Sequence, residues 1–187
     1  LLDGSAIGSA ITLRADGVRV SGLDIRTVRQ TGIHLLSRNN IIENNTISGC
    51  LDGIRLDHSR SNSIARNDIN NNTNGITLYG SEGNIIENNN IRDNNINEES
   101  DCGIFLVYSS SNVILKNDLM ENGDCSISLR SSSNNTIIGN NVTQNDWYGI
   151  SLSESSNMNL IANNNTVRTM SKFANSLEET CHSWRTS

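Results

Sequence analysis

Single isoleucines and leucines recur through this chain at fixed intervals, separated by blocks of asparagine, serine and glycine. The phrase "small residue, Ile, any residue, Leu" is written seven times: AITL (10–13), GIHL (32–35), GIRL (53–56), GITL (75–78), GIFL (103–106), SISL (126–129) and GISL (149–152). Its starts lie 22, 21, 22, 28, 23 and 23 residues apart. A second apolar position follows at Val20, Ile42, Ile64, Ile86, Ile114, Ile137 and either Leu160 or Ile161. A third follows five residues later at Ile25, Ile47, Ile69, Ile91, Leu119 and Val142, with Val167 in the last unit. Within each unit these residues alternate with others at period two and are mostly β-branched, which predicts short strands and not helices. A unit of about 22 residues with three such strands closes into one coil of a parallel β-solenoid, each strand pairing with its equivalent one coil away.

The expected fold is therefore all-β: a single-stranded, right-handed parallel β-helix of about seven coils over residues 1–167, the hand being the usual sense of parallel crossovers. After Val167 the pattern stops. Met170, Phe173, Ala174, Leu177 and Cys181 then fall at helical spacing, with Trp184 beyond, so residues 168–187 read as an amphipathic tail whose short helix caps the C-terminal end. The chain begins in mid-coil, and its open N-terminal end is expected to be covered by upstream sequence or by self-association.

Only 35% of residues are apolar, 31 are asparagine and none is proline. Such a composition would ordinarily stay disordered, but the 22 isoleucines recur in register with the asparagines. Asn40, Asn62, Asn84, Asn112 and Asn135 fall at one set of corners, and Asn45, Asn67, Asn89, Asn117, Asn140 and Asn163 at another. An asparagine there tolerates left-handed backbone and bonds to nearby main chain, and stacked amides also bond along their column. Net charge is −6 with no Lys/Arg cluster, which excludes nucleic acid as a partner. No apolar stretch approaches the ~20 residues of a membrane span. Five Asn-x-Ser/Thr sequons begin at Asn44, Asn71, Asn134, Asn141 and Asn164. They point to an exposed, extracellular or cell-surface protein, although a chain this rich in Asn and Thr also yields sequons as a by-product.

The repeats GIHLLSRNNIIENNTI, GITLYGSEGNIIENNNI and SISLRSSSNNTIIGNNV resemble those of the NosD-like, carbohydrate-binding and sugar-hydrolase (CASH) group of parallel β-helix proteins, frequent on archaeal surfaces. The resemblance covers residues 1–167. It implies the fold and leaves the activity open, since the group includes binding modules, structural domains, a copper-site maturation factor, lyases, hydrolases and epimerases.

On the first sheet, side chains two and four places after each small residue point outward. They form two ladders that include His34, Arg55 and Phe105 in one and Asp57 and Tyr79 in the other, with His58 and Tyr108 at the next position. Polar forks beside aromatic faces are what a polysaccharide or surface glycan requires, so His34, Arg55, Tyr79, Phe105 and Tyr108 are the candidate binding residues. Asp57 with His58 is a candidate acid–base pair. The segment DGIRLDHS has a superficial likeness to a motif of alginate epimerases, but the proline is absent and the histidine offset differs, so those roles do not transfer. A non-catalytic carbohydrate-binding or structural role leads, with a polysaccharide hydrolase, lyase or epimerase working near Arg55 and Asp57 as the alternative.

The 28-residue unit carries its excess in residues 92–102. Asp93, Glu98, Glu99 and Asp101, together with Asp124 on the neighbouring coil, are oxygen donors of the kind Ca2+ takes. The competing reading is a solvated acidic loop with no cofactor. Copper has less to recommend it, because His34, His58 and His182 are scattered. Cys102 and Cys125 each precede a repeat start and stack about 5 Å apart in adjacent coils, which suits either a disulfide or two reduced thiols.

Overall fold

The computed structural model describes residues 2–3, 8–95 and 101–167. The chain winds as a parallel β-solenoid whose strands fall into three sheets. The first holds Ile11–Leu13, Thr31–Leu35, Asp52–Asp57, Asn74–Tyr79, Cys102–Val107, Cys125–Arg130 and Tyr148–Ser153. The second runs from Arg19–Ser21 to Leu160–Ala162, and the third from Leu2–Asp3 to Asn165–Val167. Every pairing is parallel between equivalent positions of successive coils, as in Ile33↔Ile54, Ile54↔Ile76 and Ile76↔Ile104. The interior is thus a set of aliphatic columns. Ile33, Leu35, Ile42 and Ile47 of one coil are completely buried beneath Ile54, Leu56, Ile64 and Ile69 of the next, each side chain contributing roughly 2 kcal/mol. The described residues include no helix, and the expected capping helix lies outside them.

The small residue of the repeated phrase has a steric cause. A Cβ on Gly75 would stand 2.4 Å from the Gly103 carbonyl oxygen of the next coil and 2.7 Å from Ile91 Cγ2, and Gly32 and Gly53 meet the same arrangement. Space excludes a side chain here, since these glycines are not in the left-handed region.

The corners follow a rule that differs in two ways from the expectation. First, the left-handed residue is the one before the stacked asparagine. Asn44, Arg66, Asn88, Lys116 and Asn163 have φ of 53–54°, and each precedes an amide that turns inward. That amide's Oδ1 accepts from the backbone N–H of its counterpart one coil back, while its Nδ2 donates along the stack; Asn67 to Asn89 is 3.0 Å for both bonds. The residue that bends the chain and the residue that braces it are neighbours. Second, the stack ends at Asn164 and not at Asn163, because the Asn140 amide and backbone N–H both donate to Asn164 Oδ1 at 2.9 Å. One extra residue in the last coil moves Asn163 into the bending position. The same coil places Ile161 beneath Ile137 and Thr166, in place of Val167, beside Val142.

Two further stacks complete the coil. Asn72, Asn94, Asn122 and Asn145 brace the corner between the third and first sheets. Serines at 37, 59, 81, 109 and 132 brace the end of the first, where the Ser59 and Ser81 hydroxyls donate to the Leu35 and Leu56 carbonyls. The long unit is accommodated after Asn94, whose bond to Asn122 persists across the 28-residue step.

Candidate functional site on the first sheet

The first sheet carries the outward residues that the repeat does not dictate. His34 and Arg55 are register partners on adjacent strands, and Asp57 lies diagonally beyond. His34 Nε2 is 2.8 Å from Asp57 Oδ2, and Arg55 Nε–H donates to the same oxygen at 2.9 Å. Arg55 Nη1 reaches Asp52 Oδ2 at 3.3 Å, and the buried Asp52 accepts from the Thr77 hydroxyl at 2.6 Å. Burial works to raise the Asp57 pKa, but the hydrogen bonds from Arg55 and His34 outweigh it and hold the carboxyl below its usual value. Both carboxylates are committed to one guanidinium. Such a network can orient a ligand, and Asp57, held low, is ionised near neutral pH and suited to accept a proton more than to donate one.

Of the candidate acid–base pair, Asp57 is engaged by His34, whereas His58 takes a left-handed backbone with φ of 49° and turns its ring elsewhere. The His58 and Tyr79 rings meet edge to face at 5.8 Å, and Tyr79 and Tyr108 repeat that contact at 5.8 Å. Gly80 makes this possible. A Cβ there would fall 2.7 Å from His58 Nδ1, so the missing side chain leaves the space in which the imidazole lies. Tyr79 is 40% and Tyr108 58% exposed, which makes an aromatic edge of three rings along successive coils.

Phe105 belongs to a neighbouring feature, an open cleft of about 220 Å³ lined by Phe105, Ser128, Ser153, Cys102, Cys125, Asp124, Arg130 and Glu154. Arg130 and Glu154 form an ion pair at 2.6 Å on its rim. Cys102 and Cys125 are register partners and hydrogen-bond to one another as thiols. That bond, together with burial, holds the Cys102 thiol well above the ordinary range.

Of the proposed oxygen donors for calcium, Asp101 and Asp124 precede register partners on adjacent coils, Cys102 and Cys125. Asp93 pairs with Arg92 at 3.1 Å, Asp101 is buried, Asp124 lines the cleft, and Glu98 and Glu99 lie outside the described residues. Among the described residues no three His, Cys, Asp or Glu side chains form a group able to hold a metal ion. One buried carboxylate was not foreseen: Glu43, on the outer face of the second sheet, is clamped by Arg19 and Arg66 from the coils on either side. Its register partners are Ser21 and Ala65, so both arginines reach it diagonally and no single column of the sequence displays the cluster.

A family model described as periplasmic copper-binding protein (NosD) matches residues 3–187. No curated protein matches the chain by sequence. Among solved structures, a mutant of the periplasmic alginate epimerase AlgG superposes with a TM-score of 0.68 at 22% identity, over 82% of this chain and 41% of its own. A mutant of DFA-IIIase from Arthrobacter chlorophenolicus A6, in complex with DFA-III, superposes with a TM-score of 0.64 at 18% identity, over 88% of this chain and 43% of its own. The chain spans about two-fifths of the length of these relatives, and identities this low establish the shared β-helix and nothing finer. The copper in the family's description finds no matching donor set among the described residues: His34 is hydrogen-bonded to Asp57, His58 packs against Tyr79, and the two stacked thiols are hydrogen-bonded to each other.

Proposed function

Because this chain belongs to the NosD family of parallel β-helix proteins, we propose that it is a non-catalytic domain outside the cytoplasm that binds polysaccharide along its first sheet. The observation that carries this reading is the pairing of an exposed aromatic edge, Tyr79 and Tyr108, with carboxylates locked in ion pairs beside it. Aromatic rings offer apolar faces to sugar rings while the polar rim fixes orientation. Nothing in the reading passes through a metal ion. A polysaccharide-modifying enzyme is the second reading, and the 2.8 Å contact of His34 with Asp57 favours it, since a histidine held by a carboxylate is a common proton carrier.

A glycan array followed by incubation of each captured polymer with the protein separates the two. Sugar retained and recovered unaltered supports binding. New reducing ends, unsaturated products or altered stereochemistry, lost in Asp57→Asn, would replace it with the enzymatic reading.

A further inference from the structure

We propose that the first-sheet site selects an uncharged polysaccharide over a polyuronate. This rests on the carbohydrate-binding reading above and adds the class of polymer.

The charges on the face decide it. Around the aromatic edge and the adjoining cleft stand three arginines, Arg55, Arg130 and, at the corner beyond His58, Arg60 with Glu82 beside it on the next coil. Five carboxylates stand with them, Asp52, Asp57, Glu82, Asp124 and Glu154. Recognition of a uronate carboxylate calls for a spare guanidinium fork. The Arg55 fork is already divided between Asp57 Oδ2 and Asp52 Oδ2. Arg130 is half exposed and could turn to a ligand, but only by leaving Glu154 unpaired beside the incoming anion. Arg14 stands in the same outward column three coils from Tyr79, about 14 Å at the inter-strand spacing and beyond the screening length at physiological salt. His34 already faces Asp57, and His58 is packed on Tyr79.

What the face does offer suits hydroxyl groups. Carboxylate oxygens accept hydrogen bonds and cannot donate them, so Asp124 and Glu154 favour sugar hydroxyls and disfavour a second carboxylate. Ser128 and Ser153 line the same cleft. Tyr79 and Tyr108, with planes 90° apart, present apolar surface that attracts the C–H face of a pyranose whatever its charge. Affinity therefore comes from stacking and hydroxyl bonding, and the net field repels polyanions.

The test is affinity electrophoresis and calorimetry of the whole chain against neutral polymers (glucan, xylan, galactomannan) and polyuronates (alginate, polygalacturonate), at low and high salt, with calcium or with chelator. The expected result is binding to a neutral polymer that survives high salt and chelation. Binding should fall about three- to tenfold in Tyr79→Ala and Tyr108→Ala and be kept in Tyr79→Phe, with circular dichroism showing each variant folded. Glu154→Gln should raise affinity for polyuronate. Preferential polyuronate binding that weakens with salt and needs Arg130, or that needs calcium, overturns the selectivity while leaving the carbohydrate reading in place. No binding to either class overturns the carbohydrate reading itself.

Discussion

Replacing Asn89 by alanine tests the corner stacks directly. The side chain makes four hydrogen bonds in a site 1% exposed. Its Oδ1 accepts from the Asn67 backbone N–H and from Asn67 Nδ2, both at 3.0 Å. Its Nδ2 donates to the Ile64 carbonyl at 2.9 Å and to Asn117 Oδ1 at 3.0 Å. At about 1 kcal/mol net for each bond, the loss is about 4 kcal/mol, and the Asn67 N–H is left buried without its acceptor, which keeps the total from being smaller. Asn159, at the end of its stack, also makes four side-chain bonds but is only half buried, so water can replace part of them and truncation should cost about half as much. Asn89→Asp keeps the acceptor oxygen but aims a carboxylate oxygen at the Ile64 carbonyl and Asn117 Oδ1. Burial then raises its pKa above the unfolded value near 4, so its stability deficit grows as pH rises through that value and shrinks in acid. Urea unfolding followed by far-UV circular dichroism gives these numbers. A cost for Asn89→Ala below about 1 kcal/mol, or equal costs at Asn89 and Asn159, would show that stacking decorates the corners without supporting them.

Gly75→Ala drives a Cβ to 2.4 Å from a backbone oxygen and should cost about 3 kcal/mol, whereas Gly83→Ala faces open space and should cost only the roughly 1 kcal/mol of a left-handed alanine; thermal melts distinguish them. Asp57, whose pKa is lowered in the folded state, contributes stability that is present above the unfolded carboxylate value near 4 and lost as pH falls through its folded value, so Asp57→Asn should flatten the acid limb of the melting temperature against pH. The Cys50 thiol is pushed up to about 11 by burial. Alkylation near pH 8, read by peptide mapping, should leave Cys50 unmodified until the chain is unfolded; rapid native labelling would contradict its burial.

The columns were legible because every inward position is written once per coil, so a single coil predicts its neighbours. Where a coil departs from the pattern, its neighbours no longer predict it. The third asparagine stack was missed because its first two positions are Val28 and Cys50 and the long unit interrupts its spacing. Asn163 was placed one residue early because the last coil is one residue longer there. The bending role has another logic: asparagine tolerates left-handed backbone better than most residues, yet the torsion falls on the residue before the stacked one, even where that residue is Arg66 or Lys116.

The site was less legible because its contacts run between coils on the outer face, where the repeat imposes nothing. Register pairs His34 with Arg55, yet the bond that matters is the diagonal one from His34 to Asp57, and the neighbour in sequence, His58, draws attention away from it. The aromatic edge has a different logic. His58 and Tyr108 occupy corner positions with φ of 49° and 50°, which costs a non-glycine residue roughly 1 kcal/mol each. Gly80 stands between them in the same left-handed conformation, and the space above it is filled by the His58 ring. The fold would be satisfied by glycine or serine at all of these corners, as it is at Gly80 and Ser131. Left-handed corners in this fold also carry Arg66, Lys116 and Met158, so bulk alone marks nothing; what sets His58 and Tyr108 apart is that Tyr79 joins them into one exposed aromatic edge, the feature on which the proposed sugar-binding role depends.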